Sequence, residues 1–345
     1  MPLISQSSYQ PPFLLNNRHL QTILPSYMRK SEPIEYDRET YTTPEDDVFF
    51  LDWSRVGSDR LLIISHGLCG HSRRHYVLSL VKAFNDIGWD CLCWNYRGTG
   101  PSTGGRLSFT TNNSTNELGY IIRHAIETGH YRQVALTGYS MGGNLDMLYL
   151  CREAASVPKE VIGGAFFCAT IDLTASSHLF SSAIGRLYAS HFLEQLKALI
   201  RTKAVEFPGK LDLSLLDKVH SMDDFDEYYT APMFGFKGAD DYHSKASACN
   251  HLEKLRVPAL VVNPDNDPFL AGDCYPVDIA RHSKNLYLEM PDGGGHCGFI
   301  TPGTNTEWWP ARRAKEFITA LSEGRTNDLI PPPPPPSQSL LNWHW

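Results

Sequence analysis

Residues 133–150 read QVALTGYSMGGNLDMLYL. The apolar, β-branched run Val134–Thr137 predicts a strand, and Gly143–Leu150 predicts a helix. Between them stands Gly138-Tyr139-Ser140-Met141-Gly142, a Gly-x-Ser-x-Gly sequence. A serine on such a strand-to-helix turn is held out at the carboxyl end of the strand, beside a helix N-terminus that favours developing negative charge. Ser140 is therefore the candidate nucleophile. A second copy of the pattern, Gly100-Pro101-Ser102-Thr103-Gly104, leads into RLSFTTNNST instead of a helix and puts proline directly before its serine. Ser102 reads as a loop residue.

A serine hydroxyl is a weak nucleophile until a base takes its proton. On this kind of scaffold the acid and then the histidine follow the serine in chain order. Among 14 histidines, position selects His296, in Asp292-Gly293-Gly294-Gly295-His296-Cys297-Gly298-Phe299, just after the last apolar run Leu286–Met290. The acid should end the strand before it, where Ala259–Asn263 runs into Pro264-Asp265-Asn266-Asp267-Pro268-Phe269. Asp267 is the first choice and Asp265 the alternative. An oxyanion needs two backbone N–H donors, one after the nucleophile and one from the loop after an early strand. Met141 fits the first role. Leu68, in the His66–Gly70 loop after Leu61–Ser65, fits the second. His66, His71, His75 and Cys69 cluster in sequence, but their spacing matches no common zinc site.

Outward from the elbow, short apolar runs alternate with helix-period stretches between residues 35 and 323. Leu61–Ser65, Cys91–Asn95, Val134–Thr137, Val161–Phe167, Ala259–Asn263 and Leu286–Met290 read as buried strands; Tyr76–Ile87, Asn116–Glu127 and Asn144–Glu153 read as helices. This predicts an α/β fold, a mainly parallel central sheet flanked by helices. Val48–Trp53 has no crossover helix before Leu61 and reads as an added antiparallel strand. Between Phe167 and Ala259 the connection is too long for a loop. Phe192, Leu193, Leu196, Leu199 and Ile200 share one helical face there, so a helical cap insertion is expected over residues 170–256. Its Phe180, Leu187, Tyr188 and Phe192 suit an apolar acyl chain, and its acidic run Asp223–Glu227 reads as a solvated or capping face. The core is then 35–169 with 257–323, preceded by a segment 1–34 and followed by a Pro-rich tail 324–345.

The chain has 345 residues, 42% hydrophobic and 20% charged, which suits a globular protein with a sizeable core. With 31 Lys and Arg against 38 Asp and Glu, and no long basic run, nucleic acid and anionic membrane surfaces are poor partners. No apolar run approaches the ~20 residues that span a bilayer, and the N-terminus lacks the pattern of a secretory signal. Eight cysteines, several inside apolar runs, read as free thiols in a reducing compartment, so a cytoplasmic location is expected. The six prolines Pro331–Pro336 read as a solvated extension or as a ligand for a proline-recognition module, with Trp343 and Trp345 as further anchors.

Five stretches resemble the YheT-like, ABHD-type branch of the α/β-hydrolases: PPFLLNNRHLQTILPSYMR, ISHGLCGHSRRHY, GYSMGGNL, the pair NPDNDPFL and GGGHCGF, and FDEYYTAPMFGFKGADDYHSKAS. They run from residue 11 to residue 299, and the first of them makes 1–34 a family-specific segment. The resemblance implies a Ser140–Asp267–His296 triad with no cofactor. Relatives carry Asp-Asp-Pro-Phe where this chain has Asn266-Asp267-Pro268-Phe269, which favours Asp267. Phe109–Asn112 departs from the family pattern, as does the polyproline tail. The expected function is a serine hydrolase of carboxylic esters, medium-chain or lipid-like. The alternatives are acyl-CoA:alcohol acyl transfer with the same triad, and a non-catalytic binding module on the hydrolase scaffold. Of the two Gly-x-Ser-x-Gly serines, only Ser140 should matter to ester turnover: Ser102→Ala should leave kcat/KM within about twofold, whereas Ser140→Ala should lower it by roughly 10⁴-fold or more.

Overall fold

Leu61, Leu62, Ile63 and Ile64 are each at most 1% exposed. Both faces of their strand are covered, which is why the segment is an unbroken apolar run and not an alternating one. The structure, a computed structural model, describes residues 3–12, 15–29, 31–99, 105–301 and 307–330. Ser102 with its Gly100–Gly104 motif, and the Pro331–Trp345 tail with Trp343 and Trp345, lie outside the described residues.

The strands are β1 (Leu3–Ile4), β2 (Asp37–Thr42), β3 (Val48–Ser54), β4 (Arg60–Ser65), β5 (Asp90–Asn95), β6 (Gln133–Tyr139), β7 (Val161–Phe167), β8 (Ala259–Val262) and β9 (Leu286–Glu289). They form one sheet in the order β1-β9-β8-β7-β6-β4-β5-β3-β2. Every pairing from β1 through β5 in that order is parallel. The β3 strand is antiparallel to both β5 and β2, as the missing crossover before Leu61 predicts. The helices of the core are α1 (Arg18–Met28), α2 (His75–Asn85), α3 (Thr115–Gly129) and α4 (Met141–Arg152). Helix α4 packs against β4, β6 and β7, with α3 beside it.

Three elements carry no sequence signal of the kind used above. Strand β2, DRETYT, has no buried residue and pairs only with β3, so nothing selects an apolar alternation; its charges suit a sheet edge. Strand β1 is two residues long. Helix α1 contains Pro25, which a sequence reading takes as a breaker; Asn17 caps its start, accepting from the His19 and Leu20 N–H groups, and the helix runs on through Pro25 to Met28.

Between β7 and β8 the chain is helical: α5 (Leu173–Phe180), α6 (Ala183–Glu206), α7 (Met222–Phe225), a π-helical turn Asp226–Thr230, α8 (Ala231–Phe234) and α9 (Ala239–Ala246). Leu193, Leu196 and Ile200 do share a face of α6, and they bury it against Leu216, Val219 and Phe225. Phe109, from the loop after β5, packs into the same cluster and ties these helices to the core. The fold closes with α10 (Val277–His282) and α11 (Trp309–Ser322), the latter packed on β7 and α2. No helix of the described residues is long and apolar enough to cross a membrane.

One buried ion pair fixes α11 to the end of the sheet. The Arg313 guanidinium donates from Nε to Glu289 Oε2 at 2.7 Å, and both side chains are almost wholly buried. Ser7 donates to the other carboxylate oxygen. Removing one partner strands the other charge, at a cost of about 3–5 kcal/mol. Glu289→Leu should lower the unfolding free energy in urea by that amount, and adding Arg313→Leu should recover much of it.

Candidate active site

Ser140 sits between β6 and α4 with φ 53° and ψ −118°, a backbone conformation that non-glycine residues rarely adopt. Its N–H donates to Phe167 O at 3.0 Å, which pins the turn to the neighbouring strand. The turn closes only because its neighbours lack side chains. A Cβ on Gly138 would fall 2.6 Å from the Gly142 carbonyl carbon, and one on Gly142 would fall 2.3 Å from Ser65 O. The serine side chain therefore stands at the carboxyl end of the sheet, at the N-terminus of α4.

The loops after β8 and β9 bring two further side chains to it. His296 Nε2 lies 2.9 Å from Ser140 Oγ, and His296 Nδ1 lies 2.9 and 3.1 Å from the two Asp267 carboxylate oxygens. Asp267 is fully buried, and its Oδ1 also accepts the Phe269 N–H. Asp265 is exposed and is not brought to His296; its N–H donates to Pro291 O. Burial alone would push the His296 pKa down, but the adjoining Asp267 carboxylate outweighs it and holds the imidazole above its ordinary value. With Nδ1–H donated to Asp267, Nε2 is the free base facing the hydroxyl.

Both loops rest on α1, a role the sequence reading missed. Thr22 Oγ1 accepts the His296 N–H at 2.9 Å. The Arg18 guanidinium donates to the backbone oxygens of Asn266 and Asp267. Asn266 Oδ1 in turn accepts the Gly295 N–H, so the acid and histidine loops are joined directly. A Cβ at Gly298 would fall 1.6 Å from Gln21 O, so the helix and the loop touch backbone to backbone. The available signal was the trio Arg18, Gln21 and Thr22 on one side of a helix, with Gln21 fully buried.

The loop after β4 is built around His66. Burial lowers its pKa to about 3, so the ring is neutral. Its Nδ1–H then donates to Gly67 O at 2.8 Å, and Nε2 accepts the Tyr96 N–H. Both ring nitrogens thus serve backbone, and His66, His71, His75 and Cys69 do not converge on a common point. The Gly67 N–H is taken by Tyr76 Oη at 3.0 Å. Among the described residues the Leu68 and Met141 N–H groups have no protein acceptor. Both residues line the same cavity as Ser140.

That cavity measures about 90 Å³. Its apolar wall includes Leu173, Phe180, Phe192, Met222 and Phe269. Leu187 is 74% exposed and Tyr188 hydrogen-bonds to His19, and neither lines the cavity, in contrast to the sequence expectation; Tyr188 shares a helix face with Phe192 and packs behind the wall, against Phe269. Asn112, from the loop that departs from the family pattern, does line it. The acidic run divides its tasks. Asp224 forms a capping box with Ser221, and Glu227 accepts the Ala239 N–H. Asp226 faces the cavity and pairs with His243 at 2.9 Å, a buried polar contact that the sequence reading did not anticipate.

A family model described as serine aminopeptidase, S33, matches residues 57–272. The chain belongs to that family and is an α/β-hydrolase of the YheT/ABHD type. It is 27% identical over 330 residues to the protein of Escherichia coli (strain K12) named "Putative esterase YheT", covering 93% of this chain and 96% of that one. It is 25% identical over 339 residues to phospholipase ABHD3 of Mus musculus, covering 93% and 80%. Among solved structures, the Pyrococcus furiosus esterase Pf2001 shares the fold, with a TM-score of 0.54 and 17% identity over 84% of this chain and 91% of that one.

The α1 contact yields a specific expectation. Thr22→Val leaves the His296 N–H without its acceptor, and kcat for ester hydrolysis should fall about tenfold, equivalent to ~1.4 kcal/mol, with KM within about twofold. Thr22→Ser keeps the acceptor and should stay within about threefold of the parent.

Proposed function

We propose that this carboxylic-ester hydrolase works through a Ser140–His296–Asp267 triad on esters with an apolar acyl group. The observation that carries the reading is the hydrogen-bonded chain Ser140 Oγ–His296 Nε2 and His296 Nδ1–Asp267, opening onto an apolar cavity. The names of its relatives, an esterase and a phospholipase, support the same class of chemistry.

The steps follow from the geometry. His296 Nε2 takes the proton from Ser140 Oγ as the oxygen attacks the ester carbonyl. Asp267 holds the ring in the Nδ1–H tautomer and stabilises the imidazolium. The tetrahedral oxyanion turns toward the Leu68 and Met141 N–H groups, each worth roughly 10²–10³ in rate. His296 then protonates the leaving alcohol. Water, deprotonated by the same imidazole, releases the acyl group and restores the serine. Helices over residues 170–256 act as a cap whose Phe180, Phe192 and Leu173 contact the acyl chain.

The test is a chain-length series of p-nitrophenyl esters with the parent, Ser140→Ala and Asp267→Asn proteins, assayed with and without an added alcohol. Saturable hydrolysis that disappears in Ser140→Ala supports the reading; turnover that persists in Ser140→Ala sinks it. Acyl transfer to the alcohol in preference to water would identify a transferase. The pH dependence has a defined sign. The base is neutral imidazole, so kcat/KM rises as pH increases through the His296 pKa. Because Asp267 raises that pKa, the acid limb should lie above the ordinary imidazole value of ~6.5. In Asp267→Asn the limb should move down while kcat falls by roughly 10⁴-fold.

A further inference from the structure

The catalytic histidine has two thiols for neighbours that the reaction above does not use. Cys168 lies just beyond the end of β7, and Cys297 directly follows His296. Their sulfurs and a ring nitrogen of His296 all lie within 4.8 Å of one another. Cys168 Sγ accepts the Cys297 N–H at 3.1 Å. Both cysteines sit at positive φ, 49° and 61°, in segments whose backbone is already bent to bring them together. Their surroundings differ. Cys168 is fully buried, while Cys297 is half-buried. Burial opposes ionisation of Cys297, but the hydrogen bond with Cys168 and the charge of His296 outweigh it, and its thiol is held below the ordinary range. Burial, the largest influence on Cys168, pushes its thiol well up. One member is thus suited to react first with an oxidant and the other to resolve the product.

We propose that Cys168 and Cys297 form an oxidisable dithiol, a modification site for hydrogen peroxide, whose disulfide switches off the active site. The claim that the disulfide inactivates rests on the catalytic reading of His296; the disulfide itself does not. In the first step the Cys297 thiolate attacks one peroxide oxygen and the O–O bond breaks. The Cys297 proton and the expelled hydroxide leave as water, giving a sulfenic acid. In the second, the Cys168 sulfur attacks the Cys297 sulfur and the S–O bond breaks; hydroxide leaves with the Cys168 proton as a second water. Two thiols are oxidised by two electrons and one peroxide is reduced to two waters. Drawing the sulfurs to a bonding distance of about 2.05 Å pulls on the residue next to His296. The loop has little slack, since Gly294, Gly295, Cys297 and Phe299 all hold positive φ and Gly298 abuts α1. A displacement of about 1 Å at the base costs on the order of 10²-fold in rate.

The test uses the full chain, reduced and then treated with a few equivalents of hydrogen peroxide. A non-reducing digest is mapped by mass, and the rate of labelling by a fluorophosphonate is read in parallel. The expected result is a Cys168–Cys297 cross-linked peptide, 2 Da lighter than the two reduced peptides together, labelling slowed about 100-fold, and recovery of both with dithiothreitol. In Cys168→Ser the cross-link should be absent and Cys297 should proceed to the sulfinic acid. A different cysteine pair, overoxidation of Cys297 without a cross-link in the parent, or a fully cross-linked protein that labels at the reduced rate would each overturn the proposal. Reduced protein that forms the cross-link but never labels would count against the triad and not against the dithiol.

Discussion

The crossing of α4 over the end of β4 is the contact on which the rest of the site depends. Gly142 lies so close to Ser65 and His66 that no side chain fits between them. This approach places the first turn of α4 beside the loop after β4, so Met141 and Leu68 line one cavity. It also forces the serine between them into its positive-φ conformation. Beneath the crossing, Trp94 Nε1 donates to Ser65 Oγ, and Ser65 donates to Asp146 on α4. Burial pushes the Asp146 carboxyl well up, and the Ser65 hydrogen bond opposes that shift. The strained turn is held from below as well as from the side.

The other half of the site is held differently. Asp267 and His296 stand on loops, and loops by themselves position side chains loosely. Here the N-terminal helix supplies the missing rigidity through Thr22, Arg18 and the close approach of Gln21 to Gly298. A segment far from the β6–α4 turn in sequence therefore holds the loop that carries His296. No residue of α1 lines the cavity, and the helix acts on the site through the loops it holds.

How much of this was legible follows from the physics of each element. Strands covered on both faces announce themselves as apolar runs, and β4 to β9 were readable for that reason. Ser140 was separable from Ser102 because only one of the two stands between a strand and a helix. The resemblance favoured Asp267 over Asp265, and in the structure Asp267 is the one that meets His296. What stayed hidden depends on long-range neighbours. The polar strand β2 is selected by one partner, and α1 runs on through Pro25, which a sequence reading takes as its end. The Asp226–His243 pair and the two thiols beside His296 join residues that no periodicity links. The cap residues Leu187 and Tyr188 show the converse: apolar composition drew them into the pocket, but Leu187 faces solvent and Tyr188 is turned to His19 and the back of Phe269.

Covalent trapping of the nucleophile tests the central claim most directly. Reduced, folded protein is treated with a fluorophosphonate, and its adduct is located by peptide mapping. The account predicts one equivalent of adduct, on the peptide that carries Ser140, formed at a rate that a saturating ester substrate suppresses. An adduct on any other serine, or none from protein that remains folded, would contradict it.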